Sequence, residues 1–456
     1  MASPTFTPAE QDEATALLQE LIRLDTSNPP GNEAAAIALL ERRCREIGLD
    51  TVVAGAHPER PNLVATFAAD PARRSGRPLV LSCHVDCVPA DPARWTHSPW
   101  SGHHDGVHLW GRGAVDMKGF AAMAFAVVAK LKREAVPIRR DLLFVAVSDE
   151  EAGTRFGSKW LVEERPELLG SPEYVINEVG GFTVHRDGHR FHPVQVAEKG
   201  VAWLRLAVQG RPGHSSLPSR DNAVSRLARA IDALARARLP WHPSEEARRF
   251  LAGFAKPRGP LAEKVADLLA HPLAGPILLP LLVREPSRRA SIEAVLRNTA
   301  TPTSLGGGGN INVLPGFASV DIDGRLAPGQ TTDDLVLELE EVIRPVLRRD
   351  YELTVLQESP PVSFSTDTPL YREIERSLRE ADPEGHTVPA IIPGFTDSRN
   401  YARLGAQCYG FYPLRLPEDL DFAALFHGDD ERIPVAGFHW GMEVLAGMLR
   451  NFLTES

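Results

Sequence analysis

Two kinds of pattern alternate up to about residue 180, and few folds satisfy both. Short apolar runs at Asn62 to Ala68, Pro78 to Ser82, Leu142 to Val147 and Tyr174 to Ile176 have the length and composition of buried strands, whereas Ala121 to Leu131 repeats with helical periodicity between two of them. Strands that are apolar on both faces need cover on both. The alternation therefore predicts an α/β fold, a mixed and largely parallel sheet covered by helices.

The pattern changes twice further on, as expected of 456 residues, more than one hydrophobic core usually serves. EKGVAWLRLAVQG places Ala202, Leu204, Leu206 and Val208 on one face of a strand. Ala223 to Arg238 and Thr332 to Leu347 read as helices, and INVLPGFASVDIDGRL as a further strand. Residues 240–300, rich in Pro, Ala and Leu, read as a helical insertion within this α+β unit. From about residue 360 α/β character returns, with helix Tyr371 to Glu380, a glycine turn at PGFTDSR and a terminal helix, Ala436 to Leu453. The expected organisation is one domain in two parts, 1–198 and 359–456, interrupted by an inserted domain over 199–358. GGGG at 306–309 reads as a flexible turn, because neither Lys-Ser/Thr nor a helix follows it as a phosphate cradle requires.

A formal net charge of -10 supplies no basic surface for a phosphate backbone, which argues against nucleic acid as the partner. No window reaches the roughly 18 uncharged apolar residues of a membrane span. The N-terminal stretch MASPTFTPAEQDEATALLQELIRL is acidic and amphipathic, without the basic start and apolar run of a secretory signal, so a cytoplasmic protein is expected. Its four cysteines, Cys44, Cys83, Cys87 and Cys408, are too few for a disulfide framework and are expected to be reduced.

Residues 82–88, SCHVDCV, admit a thiolate zinc knot, a redox pair, or a histidine oriented by a carboxylate. If the strand PLVLS continues, His84 and Asp86 share one face and Cys83, Val85 and Cys87 the other. That separates the sulfurs from the imidazole and lets Asp86 take the second ring N–H of His84. Functional groups of α/β sheets gather beyond the carboxyl ends of the strands. His84 and Asp86 stand there after PLVLS, Glu150 and Glu151 after LLFVAVSD, and Glu178 after YVIN, while Asp116 in GRGAVDMKG precedes a helix at the same rim. Five carboxylates in one low-dielectric cleft would repel unless neutralised by divalent cations. Imidazole with carboxylates suits zinc, with cobalt or manganese as alternatives, and the number of acids suggests two ions, a hydrolytic pair about 3.5–4 Å apart.

At these residues the chain resembles the aminoacylase, carboxypeptidase S and succinyl-diaminopimelate desuccinylase family of dinuclear zinc metallopeptidases. The stretches are SCHVDCVP, LWGRGAVDMKG, SDEEAGTRFGS, INEVGG, RPGHSSLP, NVLPGFASVDIDGR, GFTDSR and FHGDDERIPV, in the family's order. The resemblance implies a catalytic domain with an inserted lid and dimerisation domain. It implies that His84, Asp116 and Glu178 hold one ion and that Asp116 bridges to a second held by Glu151 and His427. Asp86 matches the residue that orients the histidine ligand, Glu150 the general base, and His214 the histidine that stabilises the carbonyl oxygen. Arg325 and Asn312 match carboxylate and substrate anchors, and Thr396, Asp397 and Arg399 in the TDSR turn are candidate pocket residues. Only the resemblance singles out His427 among fifteen histidines. INEVGG departs from the family by placing Val179 where relatives usually run Glu directly into Gly.

The implied activity is release of an amino acid from an N-acyl-amino acid or a short peptide with a free C-terminal carboxylate, leaning toward the carboxypeptidase S branch. Dipeptidase, acetylornithine deacetylase and succinyl-diaminopimelate desuccinylase activities are the alternatives. A dinuclear phosphoesterase or a non-catalytic metal protein belong to other classes. The implied partner is a small-molecule substrate, with a homodimer formed through the inserted domain.

Overall fold

The computed structural model describes residues 5–455 other than 218, 220 and 349. It comprises two compact units, Met1–Val196 with Phe364–Pro389 and Thr396–Ser456, and Ala197–Ser363 with Ala390–Phe395.

The first unit is built on strands β1 (Asp50–Ala54), β2 (Asn62–Phe67), β3 (Leu79–His84), β4 (Leu142–Val147), β5 (Tyr174–Asn177) and β6 (His189–Glu198). They lie in the order β1-β2-β4-β3-β5, followed by a strand at Gln407–Gly410 and then β6. The centre, β4, β3, β5 and Gln407–Gly410, is parallel, and β1, β2 and β6 add to it antiparallel. Every residue of β3 and β4 is buried, which is why both read as continuous apolar runs rather than alternating ones. Helix α1 (Lys118–Arg133) connects β3 toward β4 and packs on β3 with Phe120, Val127 and Leu131 buried. His84 pairs with Val147 in register, and Val85 N–H donates to the Val147 carbonyl at 2.9 Å. The chain therefore leaves β3 and β4 at the same edge, and the loops that follow emerge side by side.

The second unit is an antiparallel sheet of β7 (Gly200–Gln209), β8 (Thr299–Gly307), β9 (Phe317–Leu326) and β10 (Tyr351–Ser359), in the order β8-β9-β7-β10. Ala202, Leu204, Leu206 and Val208 form its buried face, packed with Val320 and Ile322 of β9 under helices Ala223–Arg236 and Thr332–Leu347. The alternate positions Trp203 and Arg205 are exposed, as one solvated sheet face requires. The expected single strand INVLPGFASVDIDGRL is broken. Val313–Leu314 and β9 are separated at Pro315, whose nitrogen carries no hydrogen to donate to a ladder. Residues 240–300 hold four helices, Glu245–Ala255, Pro260–Leu269, Gly275–Leu282 and Pro286–Leu296, around Trp241, Leu251, Leu269, Leu279 and Leu296. In GGGG, Gly306 and Gly307 finish β8, and positive φ at Gly307 and Gly308 turns the chain.

Candidate metal centre

The β3 end supplies His84, the β4 end Glu150 and Glu151, and the β5 end Glu178, while Asp116 comes from the loop before α1 and His427 from the segment before the terminal helix. His84 Nε2 lies 3.0 Å from Asp116 Oδ1 and 3.7 Å from Glu178 Oε2. His427 Nε2 lies 3.3 Å from Asp116 Oδ2 and 3.0 Å from Glu151 Oε2. The donor atoms of His84, Asp116 and Glu178 all fall within 4.8 Å of one another, as do those of Asp116, Glu151 and His427. Asp116 belongs to both sets and turns one oxygen to each.

The electrostatics are those of a cradle for cations. Burial, then the neighbouring Asp116, pushes the Glu178 carboxyl up to about 8 and raises that of Glu151. Burial and the charge of Glu178 hold the Glu150 carboxyl well above its ordinary range. Glu150 Oε1 and Glu151 Oε1 are buried without a hydrogen-bond partner among the described residues. Hydrogen bonds with Asp116 and Glu151 raise His427 to about 10. At Asp116, burial works upward, and the hydrogen bonds with His427 and His84 outweigh it to leave the carboxyl lowered. Orphaned carboxylate oxygens beside two imidazoles, in two sets with a shared acid, fit a pair of divalent cations.

Asp86, fully buried, holds this rim together. Its Oδ1 accepts from Glu150 N–H and its Oδ2 from Glu151 N–H, each at 3.1 Å. It meets His84 differently from the sequence expectation. His84 Nδ1 is 3.1 Å from the main-chain carbonyl of Asp86 and 3.6 Å from its Oδ1, because β3 ends at His84 and the chain curls there instead of continuing extended. Either acceptor leaves Nε2 as the nitrogen free to ligate. Three non-glycine residues take left-handed backbone conformations at this rim: Asp149 (φ 65°), Val179 (φ 61°) and His427 (φ 58°). For Val179, β-branched, that is a strained choice, and it sits where the family pattern has the glycine that would adopt the conformation freely. Glu178 keeps its place beside His84 all the same.

Sequence reasoning missed Glu431, which is fully buried in FHGDDERIPV. Its Oε1 accepts from Val115 N–H at 2.6 Å and Asp116 N–H at 3.1 Å, and its Oε2 from Gly113 N–H at 3.0 Å and Arg112 Nη1 at 2.7 Å. The loop that carries Asp116 is thus clamped from the segment that carries His427. The acid four residues after His427 was the available signal, and its distant partners hid its role.

Thr396 is buried, its hydroxyl accepting from Asn177 Nδ2 at 2.9 Å behind the β5 end, and Arg399 stands half-buried at the same turn. Asp397 accepts a short hydrogen bond from Ser158 Oγ there. His214, Asn312 and Arg325 belong to the second unit. His214 is exposed, its Nδ1 2.7 Å from Ser216 Oγ, and Ser215 N–H donates to the Asn312 carbonyl at 3.1 Å. Arg325 pairs with Asp323 through Nε (2.9 Å) and Nη2 (3.2 Å) and lies 5.5 Å from the Phe395 ring centre, while Nη1 is buried without a partner among the described residues.

A parallel sheet whose strand ends carry a doubled imidazole and carboxylate cradle defines a metallohydrolase centre. The model of Peptidase family M20/M25/M40 matches residues 80–451, and the chain belongs to that family. It is 27% identical over 392 residues to the probable carboxypeptidase S-like 2 of Dictyostelium discoideum, covering 82% of this chain and 72% of that one. It is 29% identical over 414 residues to the human N-fatty-acyl-amino acid synthase/hydrolase PM20D1, covering 87% and 78%. The fold matches the M20 family metallo-carboxypeptidase Sso-CP2 from Sulfolobus solfataricus with a TM-score of 0.70 at 16% identity, over 97% of this chain and all of that one. The chain is a metal-dependent amide hydrolase.

The cysteines stand apart from the cradle. Cys83 Sγ lies 3.5 Å from the Val145 carbonyl and Cys87 Sγ 3.9 Å from Thr26 Oγ1, both fully buried, and burial pushes the Cys87 thiol up to about 12. The double variant Cys83→Ala/Cys87→Ala is expected to keep its full metal content by elemental analysis of the folded protein.

Proposed function

We propose that this hydrolase releases an amino acid from N-acyl-amino acids or short peptides that end in a free carboxylate. The observation that carries the reading is a cradle of two donor sets sharing Asp116, with a buried carboxylate outside both, Glu150, whose Oε1 has no hydrogen-bond partner among the described residues. A purely structural metal site has no use for such a group, whereas hydrolysis needs a base. His84, Asp116 and Glu178 would hold one ion and Asp116, Glu151 and His427 the other, zinc by the chemistry of the donors, with cobalt or manganese able to replace it. When bound, the ions supply Lewis acidity, polarising the scissile carbonyl and acidifying water.

Glu150 takes the proton of the attacking water and returns it to the leaving amine. Asp86 fixes where it does so, since it grips the Glu150 N–H. His214 serves as donor to the developing oxyanion and Arg325 as partner for the substrate carboxylate, with Asn312 beside His214. Support for these roles is the resemblance, the exposed imidazole of His214, and an Arg325 Nη1 still lacking an acceptor among the described residues. Thr396 and Arg399 contribute at the TDSR turn, Thr396 through the wall that supports β5. We further propose a homodimer through the second unit and a reducing, cytoplasmic setting, the latter supported by four free cysteines. Among the described residues, no helix is long and apolar enough to cross a membrane.

Incubation with N-acyl-amino acids, dipeptides and a phosphodiester panel, scored by product, is expected to release free amino acid and leave the phosphodiesters intact. Phosphodiester cleavage alone would sink the reading. Glu150→Ala is expected to keep both ions by elemental analysis while kcat falls by about 10²–10⁴-fold; an unchanged kcat would remove Glu150 as the base.

A further inference from the structure

Asn28 is 3% exposed, far from the cradle in sequence, and belongs to neither donor set. Its main-chain N–H donates to the Cys87 carbonyl at 2.8 Å, fixing it beside the loop after β3. Its side-chain Nδ2 donates to two buried carboxylates at once, Asp86 Oδ2 at 2.8 Å and Asp149 Oδ1 at 3.1 Å. Each of these carboxylates governs part of the rim. Asp86 holds the N–H groups of Glu150 and Glu151 and lies against His84. Asp149 occupies the left-handed position immediately before Glu150, and its other contacts come from Arg60 Nη2 at 3.0 Å and Phe156 N–H at 3.0 Å. Arg60 in turn is tied to Glu33 at 2.7 Å, and Glu33 Oε1 accepts from Asp149 N–H at 3.3 Å.

Two buried carboxylates facing one another repel, and a neutral amide with two hydrogens is the group that can bind both without adding charge. We infer that Asn28 is a positioning residue for this reaction: one amide locks the loop bearing His84 and Asp86 to the turn bearing Glu150 and Glu151, so that metal ligands and base are set as a unit. Asn28 stands outside both donor sets and acts through Asp86 and Asp149. Removing it leaves Asp86 one donor short and lets the β3 and β4 ends move independently. Both ion affinity and base placement then suffer, while substrate binding, which draws on other groups, does not.

The inference rests on the dinuclear hydrolase reading, and the test separates the two. Metal affinity is measured by competition against a chromogenic chelator with zinc alone, and kcat and KM with the best substrate of the screen above. Asn28→Ala is expected to bind zinc about 10–100-fold more weakly than the native chain, with kcat lower by at least roughly tenfold and KM within about twofold. Asn28→Ser, which keeps one hydroxyl donor, is expected to fall between the two, and it carries the test should the alanine variant not fold. Asn451→Ala, which removes a hydrogen bond to Glu373 at the terminal helix, controls for lost stability. It is expected to leave zinc affinity and kcat unchanged. Native zinc affinity and kcat in a folded Asn28→Ala or Asn28→Ser chain would overturn the role of Asn28 alone. Equal losses in Asn451→Ala at a matched Tm would reduce it to a structural one, and a native chain that binds neither zinc, cobalt nor manganese would overturn the dinuclear reading as well.

Discussion

Everything at the functional rim follows from burying Asp86, Asp116, Glu150, Glu151 and Glu178 together. Carboxylates this close, in a wall of low dielectric, raise one another's proton affinity, and the two imidazoles, a set of backbone N–H groups and the Asn28 amide offset them within the protein. Asp86 and Glu431 are satisfied from inside: the first by the Glu150 and Glu151 N–H groups, the second by the Asp116 loop and Arg112. Glu150 and Glu151 each keep one buried oxygen, Oε1, without a hydrogen-bond partner among the described residues, while Asp116 turns its oxygens to the imidazoles of His84 and His427. The fold thus divides its acids into those that brace the rim from within and those turned to the cradle, where Asp116, Glu151 and Glu178 stand with His84 and His427 in the two donor sets.

Parallel strands make that division feasible. Because β3, β4 and β5 run the same way, their ends deliver His84, Glu150, Glu151 and Glu178 to one edge, each within four residues of the last residue of its strand. The cost appears in the backbone, where Asp149, Val179 and His427 adopt left-handed conformations that each cost on the order of 1–3 kcal/mol. Such strain persists only where the surroundings over-determine it. At Asp149 they do, with Arg60, Phe156 N–H and Asn28 all bonded to its carboxylate.

The chain made much of this legible and hid the rest for physical reasons. The strands β2, β4 and β5 stand within a residue of where their apolar runs place them, since strands buried on both faces cannot tolerate polar interruptions. Strand β6 was invisible because His189, Arg190, His192, Pro193 and Gln195 break its pattern; His192 and Arg190 are satisfied by Asp382, an acid nearly two hundred residues away in sequence. The exposed strands β1 and β10 likewise carry no buried face to announce them. The acids of the rim could be picked out because strand ends are where function gathers. His427 could not, and it entered through resemblance alone. Asn28 and Glu431 were illegible, because each acts through hydrogen bonds to residues 58 and 315 positions away, a relation that only the folded chain creates.

The shared acid offers the most direct measurement. Calorimetric titration of metal-free protein with zinc should register two ions for the native chain, and Asp116→Ala, which strips an oxygen from both donor sets, should lose tight binding of both together. Undiminished uptake of two ions by folded Asp116→Ala, or loss of only one, would contradict a cradle organised around that residue.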